Sequence, residues 1–249
     1  MRRHTCGHTL IEVLISSALF ALVIGGVYLL YTTMQATLSR GELMTDIQQN
    51  ARLGMNRLVQ DLNNAGNDPN NTLPNPENLA PGQFPTGPIR SAGPDCLVFI
   101  GSGRAVNNNP ISIRVSYYRY NSTTNPGGNT LGRRADNWGG ASYPFPPAST
   151  VQPLAETVVA LSFSYYDAAN NLLHPPAPQQ WPLITVPSAL NCPPGNPASA
   201  DVGNVRRLTV ANLNLVRRIA VTIQTQASRP GVQPLSYTVV SHVNLRNLQ

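Results

Sequence analysis

Lysine is missing from the 249 residues, so all of the positive charge rests on 17 arginines. Charged residues make up only 11% of the chain, and a formal balance of +6 does not by itself argue for a nucleic-acid partner. Cysteine is scarce, with three residues, and the four histidines stand far apart at His4, His8, His174 and His242. No metal-ligand spacing links them to one another or to a cysteine, so no metal ion is expected. A Gly-rich phosphate loop, a nucleophile elbow and an EF-hand loop are also missing from the sequence. Neither an enzyme nor a cofactor is expected. No internal repeat is visible, which leaves one sizeable domain beyond any anchor.

The most informative absence is that of charge between Val13 and Ser39. A bilayer-spanning helix needs about 20 predominantly apolar residues, and this run is long enough. It is preceded by Arg2 and Arg3, then Gly7, and one acid, Glu12, stands at its entrance. Ionisable groups at such a position are expensive and usually functional. A secretory signal peptide has a shorter apolar region and an A-x-A-like cleavage site, and neither is found here. A lipoprotein signal would place the apolar region before Cys6 rather than after it. An ordinary single-pass anchor passes the hydropathy test equally well.

Taken together, the basic leader, Gly7, the step Thr9-Leu10-Ile11, Glu12 and the apolar run resemble the type IV prepilin signal. The family usually has Phe where this chain has His8. The resemblance implies that a prepilin peptidase cuts between Gly7 and His8 and that the new amino terminus at His8 is methylated. Within that reading Glu12 has a role. A carboxylate at the centre of a membrane helix costs about 2.5–3.5 kcal/mol, and less near the interface. In a bundle of parallel helices it can neutralise the free amine of a neighbouring subunit's His8, an amine that only cleavage creates. An acid that merely reaches to the interface is the alternative.

The apolar run continues without proline until Pro69. Met44, Ile47, Ala51, Met55, Leu58, Leu62 and Ala65 recur at steps of three and four, with Asp46, Gln49, Asn56, Gln60 and Asn64 opposite. Gly66, backed by Pro69, is the expected stop. One helix from about Thr9 to Ala65 is therefore expected, on the order of 85 Å long. Residues 8–39 would form its membrane or filament-core half and residues 40–65 its amphipathic half. Gly25 and Gly26 fall in the apolar half, each costing about 1 kcal/mol relative to Ala. They mark either a place where the helix bends or melts, or a close helix–helix approach.

Beyond the helix, residues 66–249 read as a β-rich soluble domain with long Pro- and Gly-rich connections. Segment 66–94 carries seven prolines and reads as a loop. Cys96–Ile100 reads as a buried strand, and in the next strand Ile111, Ile113, Val115 and Tyr117 alternate with Ser112, Arg114, Ser116 and Tyr118. Segment 121–155, with Arg133, Arg134, Asp136 and Trp138, reads as a loop. Val159, Leu161, Phe163 and Tyr165 share one face of a strand ending near Asp167, and 168–200 reads as an insertion. Ile219, Val221 and Ile223, then Tyr237, Val239, Val243 and Leu245, mark the inner faces of the last two strands. The fold class expected is α+β, a type IV pilin fold in which a long amino-terminal helix packs on an antiparallel sheet. With Cys6 in the leader, Cys96 and Cys192 remain as a pair on the exported side. They form either a disulfide, worth up to about 4.7 kcal/mol for a loop of about 100 residues, or two buried thiols.

Asp46–Arg52, Leu58–Leu62 and Ala65-Gly66 resemble the post-membrane helix of PilW-type minor pilins, and Leu154–Leu161 and Val243–Asn247 resemble that family's sheet and the related J-type pseudopilins of type II secretion. The resemblance implies a low-abundance subunit that joins other minor and major pilins, primes filament assembly and caps the tip. It further implies contact with an inner-membrane assembly platform, membrane lipid around the helix before assembly, and a periplasmic domain that later reaches the cell surface. A pseudopilin, and a tip adhesin or DNA-uptake subunit using loops 121–155 and 168–200, are the alternatives. Only the pairs Arg133-Arg134, Arg206-Arg207 and Arg217-Arg218 hint at nucleic acid. Neighbours on a strand point to opposite faces, so solvated arginines are the expectation.

Overall fold

The computed structural model describes residues 9–69, 87–104, 108–121, 129–137, 151–174, 183–184, 205–206, 208–228 and 233–246. Helix α1 runs unbroken from Leu10 to Asn63, about 80 Å at 1.5 Å per residue. No proline interrupts it, and Thr9 caps its amino end in an extended conformation. At the other end Gly66 adopts φ 84°, a left-handed conformation that glycine enters without a Cβ penalty. Its N–H donates to the carbonyl of Ile100 at 2.9 Å, and Ala65 bridges Gly101, so the helix stops directly against a strand.

That strand belongs to a five-stranded antiparallel meander: β1 (Ile89–Ala92), β2 (Cys96–Arg104), β3 (Pro110–Asn121), β4 (Asn129–Asn137) and β5 (Gln152–Ala155). A second antiparallel sheet has the order β10-β9-β6, from β6 (Val158–Tyr166), β9 (Arg218–Ala227) and β10 (Leu235–Asn244). A two-residue pair, β7 (Leu183–Ile184) with β8 (Val205–Arg206), and a short helix α2 (Val210–Leu215) complete the described elements. The long helix on antiparallel sheets is the α+β arrangement of type IV pilins that the sequence led us to expect.

One core joins the three layers. Met55, Leu58 and Leu62 of α1 meet Phe99, Tyr117 and Leu131 of the first sheet and Phe163, Val221 and Ile223 of the second. The rings of Phe99 and Tyr117 stack with centroids 6.3 Å apart. The α1 stripe is buried largely as its periodicity predicts, but Leu43 is buried where Met44 is only half-buried, and Gly54 joins the buried face. A Cβ at Gly54 would stand 2.9 Å from Cδ2 of Leu131 and 3.1 Å from Cβ of Ala155, so glycine lets the helix approach β4 and β5.

Several expectations need correction. The supposed loop 66–94 contains β1, and the supposed loop 121–155 contains β4 and β5. Both were concealed because Pro and Gly in the flanking connections outweighed short strands in the composition. The inner face of β6 starts at Val158 rather than Val159, because a register shift between Val158 and Ala160 moves the alternation by one residue. In β3 the supposed polar side is also buried: Ser112, Arg114, Ser116 and Tyr118 are all inaccessible. Arg133 and Arg134 are not solvated but 5% and 1% exposed. His174 is half-buried and meets the ring of Tyr165 edge-on at 6.2 Å. His242 is exposed, and α2 had no anticipated counterpart.

Candidate functional site: the helix entrance and its apolar half

The entrance of α1 is built by two residues, Thr9 and Glu12. Thr9 accepts from the N–H of Glu12 at 3.4 Å through its hydroxyl oxygen. Glu12 Oε2 in turn accepts from the Thr9 N–H at 2.9 Å and from its hydroxyl at 3.2 Å. This reciprocal pair is a capping box, which satisfies backbone donors that the first helical turn leaves over. A carboxylate in this turn also faces the positive end of the helix dipole, worth about 0.3–1 kcal/mol. The pattern Thr-x-x-Glu was legible in the sequence, and our reading of Glu12 as an inter-subunit acid passed over it. The two roles are compatible, since Thr9 supplies dipoles and leaves the carboxylate charge in place. Gly7 and His8 lie outside the described residues.

From Leu10 to Leu38 every apolar side chain of α1 is exposed, Leu10 at 80%, Phe20 at 65% and Leu38 at 68%. Polar side chains here bond inward to the helix: Ser17 donates to the Leu14 carbonyl at 2.9 Å, Thr33 to Leu29 at 2.8 Å and Thr37 to Thr33 at 2.9 Å. Hydroxyls satisfied by their own backbone cost little in hydrocarbon. The rod therefore presents an apolar surface all round, long enough to cross a membrane. Nothing within 4 Å would meet a Cβ at Gly25 or Gly26, and the helix runs through both without a break.

The other half of α1 is locked to the domain by a buried charge cluster that the sequence did not reveal. Asp61 is 7% exposed and lies on the inner face of the helix. Its Oδ2 accepts from Arg133 Nε at 2.5 Å and from the Tyr117 hydroxyl at 2.8 Å, while Arg57 Nε approaches Oδ1 at 3.4 Å. Arg133 also donates to Gln152 Oε1 at 3.2 Å. Burial, then the charge of Asp61 and its hydrogen bond, push the Tyr117 hydroxyl far above the ordinary tyrosine range. A cleft of about 340 Å³ opens beside the cluster, lined by Arg57, Gln60, Asn64, Ser102, Ile113 and Arg133. With Arg133, Tyr117 and Arg57 all directed at the Asp61 carboxylate, the cluster is built for holding helix to sheet. Asp61 interrupts an otherwise apolar stripe, so periodicity gave no sign of its burial.

Cys96 is fully buried in β2, and Cys192 lies outside the described residues. Arg217 caps carbonyls of Asn214 and Val216 at 2.9 and 3.0 Å, and Arg218 lies 4.1 Å over the Tyr166 ring. Arg207 lies outside the described residues.

Residues 2–28 match the family model for the prokaryotic N-terminal methylation motif. The matched amino-terminal segment is of the type IV prepilin kind. The match spans the leader, the Gly7–His8 step, Glu12 and most of the apolar rod, the segment whose exposed surface has just been described. Comparison with curated proteins finds no match. That motif and the apolar rod support a pilin- or pseudopilin-like, membrane-anchored protein, and the motif implies processing by prepilin peptidase and assembly with other pilins.

Proposed function

We propose that this prepilin is a PilW-like minor pilin that helps to initiate a type IV pilus and caps its tip. The observation that carries the reading is the joined geometry of α1: a fully exposed apolar rod with Glu12 at its mouth, continuous with a half that is clamped into a large domain. An apolar rod needs either lipid or other rods around it, and the domain at its far end is held rigidly to it. Cleavage after Gly7 would create a cation at His8, and Glu12 of the adjoining subunit is the acid placed to receive it. Before assembly the chain sits as a single-pass protein of a bacterial inner membrane with the domain in the periplasm, where it meets the peptidase and the assembly platform. Gly25 and Gly26 are the points where the rod would bend or come close to another helix. A Cys96–Cys192 disulfide fits this compartment, supported by Cys96, which is disulfide-bonded and buried in β2.

The test is the amino terminus of the chain from membranes and sheared filaments, together with Glu12→Ala. A methylated His8 at the terminus is expected. The variant should be cut normally yet recovered in filaments at a tenth or less of the wild-type level. A working chain that retains Met1–Gly7, or normal piliation by Glu12→Ala, refutes the reading.

A further inference from the structure

The two main sheets have four outer strands, and three of them carry the devices by which proteins prevent further strand pairing. Strand β1 has four residues, a register shift and Arg90. Strand β5 also has four, with Pro153 and a register shift against β4. The outer side of β6 is occupied: Arg119 donates to the Val159 carbonyl at 2.6 Å, Phe163 N–H donates to the Pro94 carbonyl at 2.9 Å, and Leu173 N–H donates to the Tyr165 carbonyl at 2.9 Å. Short length, bulges, charge, proline and cover are the recognised protections of an edge.

Strand β10 has none of them. It is ten residues long, pairs with β9 in unbroken register from Leu235 to Asn244, and contains no charged residue and no proline. Among the described residues no group bonds to its outer edge. Its helix-facing side chains are incompletely covered: Leu235, Tyr237 and Val239 are only half-buried, and Val240 on the opposite face is 55% exposed. An antiparallel edge strand turns the N–H and C=O of alternate residues outward, and an extended backbone is the partner that matches that row.

We propose that the outer edge of β10 is a strand-addition site that accepts an extended segment of a neighbouring filament subunit, a proposal that rests on the pilin reading for the identity of that neighbour. The incoming segment carries apolar residues at alternate positions, where they would complete the burial of Leu235, Tyr237 and Val239, and it is uncharged along about ten residues. Position supports a neighbouring subunit as its source. Tyr237 pairs with Thr225, whose hydroxyl donates to the Ile47 carbonyl at 3.2 Å. This end of β10 therefore sits beside the point where α1 leaves the domain, which is where the globular part of an adjoining subunit comes to lie when the apolar rods pack side by side.

The experiment places a photo-crosslinking p-benzoyl-phenylalanine at Thr238 of the full chain in its own cells, with irradiated membranes and filaments analysed by mass spectrometry. A companion variant adds Thr238→Lys and Val240→Lys, with the crosslinker at Ser236. Both positions are exposed, so the Tm should hold. The expected result is an adduct to an uncharged segment of another leader-cleaved subunit, reduced at least tenfold in the lysine variant. An adduct confined to residues of the same chain, no adduct, or one undiminished by the lysines overturns the proposal. The amino terminus is read from the same sample, so an uncut leader refutes the pilin reading separately while the adduct still decides the edge.

Discussion

The two halves of α1 are one helix in two environments. From Leu10 to Leu38 its apolar side chains all lie open, whereas from Leu43 to Leu62 one stripe is sealed against two sheets. The first half holds a single charge, Glu12, bonded within its own turn. The second half buries Asp61 and binds it to side chains 56 and 72 residues away in sequence. Apolar surface that the monomer leaves bare is surface reserved for lipid or for other subunits, and the polar contacts of the two halves differ accordingly. At the entrance they are local and cap a helix end. At the far end they are long-range and weld the rod to the domain.

That contrast can be broken most forcefully at the clamp. Asp61→Ala would leave Arg133 buried without its carboxylate and is expected to destabilise the domain by about 3–5 kcal/mol, measured by chemical denaturation. A loss below about 1 kcal/mol would mean that the second half is held by apolar packing alone.

The glycines sharpen the comparison because the same change should act with opposite sign in the two halves. Gly54→Ala forces its Cβ against Leu131 and Ala155 and is expected to cost up to about 2 kcal/mol net, since overpacking at about 1–3 kcal/mol opposes the helix-propensity gain of about 1 kcal/mol. Gly25→Ala meets open space and should leave domain stability unchanged while raising the helicity of the rod, read by circular dichroism in detergent. Equal effects at the two sites would contradict the packing described.

A smaller effect, confined to alkaline pH, reports on the buried hydroxyl at the clamp. The Tyr117 hydroxyl is held protonated in the folded state well above the ordinary value of 10.0. Above about pH 10 the unfolded chain therefore releases a proton that the folded chain retains, and stability falls with rising pH by about 1.4 kcal/mol per unit from this group. Below that pH the contribution is constant. Tyr117→Phe should flatten the slope of Tm between pH 10 and 11 relative to wild type, and an unchanged slope would remove Tyr117 from the account.

Legibility in the sequence followed the range of the interaction. The rod, its amphipathic continuation and its stop at Gly66 were readable because each depends on neighbours within a turn or two: an apolar run, a 3.6-residue stripe and a residue free to take φ 84°. The inner faces of β9 and β10 were readable for the same reason, as alternation along a single strand. Thr9 and Glu12 also spell out their capping box locally. Strands β4 and β5 were concealed because Pro and Gly in the connections dominate composition, although β3 and β4 are consecutive strands that pair from Asn121 and Asn129 onward.

By itself the sequence determined a processed, membrane-borne rod with Glu12 at its mouth, because leader, glycine, acid and apolar length are all written within the first 39 residues. Only the tertiary structure decided that Arg133 and Asp61 belong inside, that Gly54 lets the helix approach β4 and β5, and that β10 keeps an open edge. Charge compensation, steric fit and strand pairing all depend on which distant groups the fold brings within a few ångströms. Periodicity along the chain carries no information about those distances.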